Sequence, residues 1–167
     1  MLVPEFNRFK KIKIEIPKLE SADNISFTMD NGTFYGQGND GMIFSLTIDN
    51  FMENRIDDVM MFSRVSGKVF LKDASWLDIS TAEGQYMRQK HRVTLTGDVK
   101  LSDDQGSSAE TTEATIDLEN TEIRGSAPIR ANTQFGTVYG EGFAFTRGDK
   151  YIFTGRVQAF IDSDKLN

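Results

Sequence analysis

The sequence predicts an all-β chain. The first observation is Val93-Thr94-Leu95-Thr96-Gly97-Asp98-Val99-Lys100-Leu101, which alternates apolar and polar residues around a glycine, the pattern of a half-buried strand. The second is that this stretch recurs. Val65 to Leu71, Ile123 to Ile129 and Phe153 to Ala159 share its form, and their glycines at 67, 97, 125 and 155 lie 30, 28 and 30 positions apart by subtraction. Apolar residues stand two before each glycine (Val65, Leu95, Ile123, Phe153) and two after (Val69, Val99, Ala127, Val157). A one-residue slip would turn these side chains to water, so the register is well specified. A period in this range marks one supersecondary unit copied and stacked. The third observation is negative: no segment carries apolar residues at helical spacing over about ten residues.

Taken in order, residues 1–20 stand apart. Arg8, Lys10, Lys11, Lys13 and Lys18 make this the one strongly basic segment, and Ile12, Ile14 and Ile16 alternate until Pro17. It reads either as a basic linker with one loosely paired extended piece or as a juxtamembrane segment whose lysines lie against anionic head groups. The β pattern begins at Ile25. Asn31-Gly32 predicts a type I′ hairpin after Ile25, Phe27 and Met29, and Asp40-Gly41 predicts a second turn. Met42, Phe44, Leu46 and Ile48 share the face of the next strand. Residues 50–57 are polar and read as a short helical turn or loop. Val59 to Phe62 starts another strand. Units then follow at about 74–104, 105–132 and 133–161, each an up strand, a turn and a glycine-centred down strand. Asp103 to Gly106 and Arg147-Gly148-Asp149 supply the turn chemistry between them.

At 167 residues a single domain is the default, long enough for a real core, and 13 phenylalanines supply bulk for it. A net charge of -6 argues against a nucleic-acid partner. Cysteine is absent, which fits periplasm or cytosol and decides neither. No apolar run reaches the roughly 18 residues of a membrane span, and Met1 to Phe9 has no signal-peptide core. Met1-Leu2-Val3-Pro4 reads as an arbitrary starting point, so a trimmed chain is expected.

The chemistry-bearing motifs are weak. Gly36-Gln37-Gly38-Asn39-Asp40-Gly41 fits a dinucleotide fingerprint literally, but a β-patterned stretch follows it where a helix is needed, so a glycine-rich hairpin is the reading. His91 is the only histidine and lies in Arg88-Gln89-Lys90-His91-Arg92, at an expected hairpin tip. That tip is either solvated or a small cationic patch for phosphate. No spaced acidic set suggests a metal, and no serine sits in a nucleophile motif. Acids are plentiful, but nothing favours the carboxylate pair that glycoside hydrolysis needs. Trp76 reads as core or rim packing rather than a ligand platform. The apolar columns fit an ordinary dry core, or two sheets held apart around an apolar trough for acyl chains. Glycines at the middle of successive strands, which remove interior volume and permit bending, favour the trough.

Five segments carry a family resemblance: Asp40 to Leu46, Trp76 to Gly84, Leu95 to Val99, Phe135 to Phe143 and Phe153 to Val157. In that order the chain resembles the LptC family of the lipopolysaccharide-export machine, in its alphaproteobacterial form. The family has one inner-membrane helix at its N-terminus, which this chain lacks. The resemblance implies a twisted antiparallel β-jelly-roll with an open apolar trough over residues 21–163, and makes 1–20 a basic linker after the missing anchor. It implies a periplasmic protein held at the inner membrane, with no catalysis, cofactor or metal. Its partners are lipopolysaccharide, an inner-membrane ABC transporter complex that supplies the lipid, and a periplasmic bridge protein that receives it. Phe44, Leu46, Val69, Leu95, Val99, Ile116, Leu118, Ile123 and Val157 are then expected to face the lipid. Phe153, Gly155, Arg156, Val157 and Gln158 are expected on an exposed edge, near Tyr151 to Ile161, that docks the bridge protein. If that edge is one regular strand, the N–H groups of Arg156 and Val157 point one to the partner and one to the sheet. Two alternatives are a soluble bridge protein of the same fold and a β-solenoid or jelly-roll that binds or cleaves polysaccharide.

Overall fold

A computed structural model describes residues 27–37, 43–54, 56–70, 74–120, 122–146, 150–162 and 164. Among them the regular elements are strands and one 3-10 turn, Arg88–Lys90. The strands are β1 (Phe27–Gln37), β2 (Ile43–Asn54), β3 (Val59–Phe70), β4 (Trp76–Met87), β5 (Arg92–Asp103), β6 (Ser108–Asp117), β7 (Glu122–Gly125), β8 (Ile129–Thr133), β9 (Gly136–Gly140), β10 (Gly142–Thr146), β11 (Lys150–Thr154) and β12 (Gln158–Ile161). The fold is all-β, a jelly-roll-like antiparallel sheet. β1 to β6 form a meander, and the sheet forks at β6. Thr115 to Asp117 pair with β7, which leads to β10 and β11. Ser108 to Thr111 pair with β8, which leads to β9 and β12.

A crease explains the fork. In a regular strand every second residue faces the same way. Here the alternation breaks in strand after strand: Ile48 to Phe51, Thr81 to Gly84 and Thr111 to Ala114, all buried, are three apart, and in β5 Gly97, between buried Leu95 and Val99, is exposed. These positions line up across the sheet. Phe51, Phe62, Gly84, Leu95 and Ala114 are successive partners on one side of the crease. Ile48, Val65 and Thr81 are partners on the other, as are Val99, Thr111 and Ile129. Register shifts mark it in β4–β5 and β5–β6. Left-handed backbone marks it at Asn31, Arg64, Gly97 and Asp98. Beyond β6 the chain breaks there instead, between β7 and β8, β9 and β10, and β11 and β12.

The crease folds the sheet into two facing half-sheets. The first holds β8, β9 and β12 with the adjoining halves of the long strands; the second holds β7, β10 and β11. Both line the same interior. One buried cluster joins Leu101, Ala109, Ile129 and Ala131 of the first to Leu95, Ala114 and Phe143 of the second, with Val99 at its centre, fully buried. A second cluster joins Phe34, Ile48 and Val65 to Phe51, with Met60 and Phe62 packed on it. Phenylalanine fills both. The Phe51 ring centroid lies 5.6 Å from Phe34 and 6.3 Å from Phe62, and Phe143 lies 5.1 Å from Phe145. The clusters part at β4, whose crease residues are Thr81 and Gly84.

Several expectations change. Asn31-Gly32 makes no hairpin, because β1 runs straight through it. Asn31 takes left-handed φ of 56° for the crease, a conformation that suits asparagine in a bend as well as in a type I′ turn. Residues 50–54 are strand, since β2 continues to Asn54. Asp103 does close its turn, accepting from the Gln105 and Ser107 N–H groups at 2.9 and 2.7 Å. The glycine repeat marks alternate passes of the chain beside the crease, but its glycines do not hollow the interior. A Cβ at Gly67 would strike Leu46, and one at Gly125 the Phe143 ring, so neighbours already fill those spaces. Residues 1–20, Asp40-Gly41 and Arg147 to Asp149 lie outside the described residues.

Candidate functional site

The candidate site is the interior between the half-sheets, and burial across it is graded. Residues flanking the crease are dry: Val99, Ala114, Ile129, Phe143, Ile48, Phe51 and Leu95 are all under 5% exposed. Farther from the crease the inward residues are half-buried: Phe44, Leu46, Val69, Leu77 and Ile79 on the first half-sheet, and Met60, Tyr86, Val93, Ile116, Ile123 and Phe145 on the second. The walls are therefore mostly apolar, buried along the crease and at Phe34, Leu101, Ala109 and Ala131 a step beyond it, and half-buried at the other inward positions. Burial pushes the Tyr86 phenol up, against the nearby Arg88 charge, so it stays neutral and adds no charge to the wall.

Two threonines hold the bend. A crease leaves carbonyls that no neighbouring strand can use, and buried carbonyls need a donor. The Thr81 hydroxyl lies 3.0 Å from the Glu83 and Thr96 carbonyl oxygens and 3.3 Å from that of Gly97. The Thr111 hydroxyl donates to the Pro128 carbonyl at 2.9 Å. Both threonines are buried.

Of the residues expected to face lipid, Phe44, Leu46 and Val69 lie on the inner face of the first half-sheet, and Ile116 and Ile123 on that of the second. Leu95 and Val99 lie at the sealed crease. Leu118 is in the turn after β6, its N–H donating to the His91 carbonyl at 2.9 Å. Val157 is in the loop between β11 and β12, about half exposed. Ile79, Met60, Phe62 and Phe145 also face inward, and period-2 reading missed them. An alternation cannot be carried across a crease that resets it.

The last pass of the chain is an edge. Among the described residues no strand lies beyond β11 or β12, and β1 bounds the opposite side. Phe153 packs inward, and Gln158 opens β12. Gly155, Arg156 and Val157 form the crease loop, so strand alternation does not apply to Arg156 and Val157. Glu141 secures the loop by accepting from the Arg156 N–H at 3.0 Å. The alternation starts in β12. Asp162 N–H donates to the Phe135 carbonyl at 2.9 Å, which sets the phase of the ladder. Gln158 and Phe160 then bond to β9, and the N–H groups of Ala159 and Ile161 face the open side. Tyr151, Ile152, Phe160 and Ile161 expose apolar surface along this edge.

Elsewhere the motifs carry no site chemistry. The glycine-rich run is followed by the strand β2. His91 sits exposed after the 3-10 turn, with Nε2 3.8 Å from Glu119. Among the described residues no group of three or more His, Asp or Glu side chains could hold a metal ion. No helix of these residues is long and apolar enough to cross a membrane.

The model of lipopolysaccharide-assembly, LptC-related proteins matches residues 6–152. The chain belongs to the LptC family. Membership gives it a role in lipopolysaccharide transport, as a component exposed to the periplasm, and the all-β architecture agrees with that family's jelly-roll. No curated protein matches the chain.

Proposed function

We propose that the wedge between the half-sheets shelters the acyl chains of lipopolysaccharide, received from an inner-membrane ABC transporter complex and passed to a periplasmic bridge protein at the β11–β12 edge. The graded burial carries this reading. A sealed crease keeps the half-sheets together, while half-buried apolar walls farther out are surface that an acyl chain covers. Each sheltered methylene is worth roughly 0.8 kcal/mol, so a multi-acyl lipid leaves water readily. Hydrolysis belongs to the transporter, and this chain contributes wall rather than catalysis. The edge supports the handover, because unpaired strands invite β-augmentation. An inner-membrane anchor preceding the basic segment fits the same reading.

Photo-crosslinking tests the wedge. A benzophenone side chain at Leu46 or Val69, on the inner face, captures lipopolysaccharide. The same group at Met52 or Met61, exposed on the outer face of the second half-sheet, does not. Equal capture from both faces sinks the proposal.

A further inference from the structure

The outer face of the first half-sheet holds a separate feature, on the opposite side of the wall from the wedge. Ser45, Lys68, Asp78 and Ser102 are successive cross-strand partners there, and Thr47, Ser66, Ser80 and Lys100 form the next line. Together they line an open concavity of about 430 Å3. Four strands about 4.8 Å apart make it roughly 14 Å long. Five of the lining side chains, Ser45, Thr47, Ser66, Ser80 and Ser102, are short hydroxyls.

The charge there opposes that of the molecule. The whole chain is at -6, yet this concavity has two lysines to one aspartate. Lys68 is held in place: its Nζ lies 3.7 Å from the centroid of the Trp76 ring and 3.6 Å from Asp78 Oδ1. A long cation fixed before binding loses little freedom on contact. Lys100 is exposed at the other end. Clustered hydroxyls with a carboxylate suit a ligand rich in hydroxyls. Two ammonium groups suit the nearly double negative charge of a phosphate monoester better than the single charge of a carboxylate.

We infer that this concavity binds a phosphorylated saccharide, independently of what the wedge holds. Trp76 is the only tryptophan, and Lys68 rests on its ring, so its fluorescence reports occupancy. Trehalose 6-phosphate, trehalose and inorganic phosphate are titrated separately, following this emission and the backbone amide shifts of β2 to β5. The phosphorylated disaccharide gives saturable millimolar binding with shifts at Ser66, Ser80 and Ser102. Trehalose and phosphate each bind about tenfold more weakly or less, and Lys68→Ala and Lys100→Ala each weaken the phosphorylated sugar about tenfold, the scale of one charge-assisted hydrogen bond. Absence of saturable shifts overturns the inference. So does phosphate binding as well as the sugar phosphate, or binding that survives both lysine changes. These lysines lie outside the wedge, so a failure here leaves the acyl-chain reading standing.

Discussion

Replacing Thr81 by valine isolates the chemistry of the crease. Valine keeps the shape of threonine and removes its hydroxyl. Thr81 is 5% exposed, and three carbonyl oxygens lie within 3.3 Å of its Oγ1. One hydroxyl proton serves one acceptor at a time, so the direct loss is a single hydrogen bond. The larger cost is a buried carbonyl left without a donor, and together these amount to about 1–3 kcal/mol. For a domain of this size each kcal/mol moves Tm by about 2–4 °C, so Thr81→Val melts about 2–12 °C lower. Thr47→Val is the control. Thr47 is exposed on the outer face, and such changes stay within about 0.5 kcal/mol. Urea unfolding followed by far-UV circular dichroism measures both, with the midpoint falling at unchanged slope for Thr81→Val. If Thr81→Val proves as stable as Thr47→Val, the hydroxyl does not support the bend.

Gly97→Ala forces a side chain into φ of 73° and sets its Cβ 3.1 Å from Ala82, so it destabilises by about 1–2 kcal/mol, read as a lower urea midpoint. Phe143→Ala empties a position 2% exposed in the larger cluster, costing about 3–5 kcal/mol, and calorimetry shows the largest Tm loss of these variants. At the edge, Ala159→Pro removes an outward N–H and weakens capture of the bridge protein in a pull-down while the domain still melts cooperatively. Phe160→Pro removes a ladder donor and lowers stability itself.

The sequence made the all-β class legible because period-2 alternation survives within each half-strand. Val93, Leu95, Val99 and Leu101 do lie on the buried face. The glycine period was real and marked the crease on alternate passes. What it could not convey was the bend. Asn31-Gly32 has the same local chemistry in a hairpin and in a creased strand, and only pairing with β2 separates them. The interior was partly legible for a related reason. Leu46 and Val69 lie on unbroken alternation, whereas Phe62 and Met60 lie across the crease from Val65, where the count resets. At the edge, the break between β11 and β12 depends on Glu141, fifteen residues before Arg156, and local pattern carries no trace of it. The outer concavity was invisible because its residues are far apart in sequence and individually ordinary.

The most direct test of the wedge is a methyl NMR titration of the folded domain with lipopolysaccharide below its aggregation limit. Leu46, Val69 and Ile79 methyls face the wedge, while Ile43 and Ile152 are about half exposed on the outer face. Saturable shifts are expected at Leu46, Val69 and Ile79, with Ile43 and Ile152 unmoved. Shifts confined to Ile43 and Ile152, with the inward methyls unchanged at saturation, would contradict it.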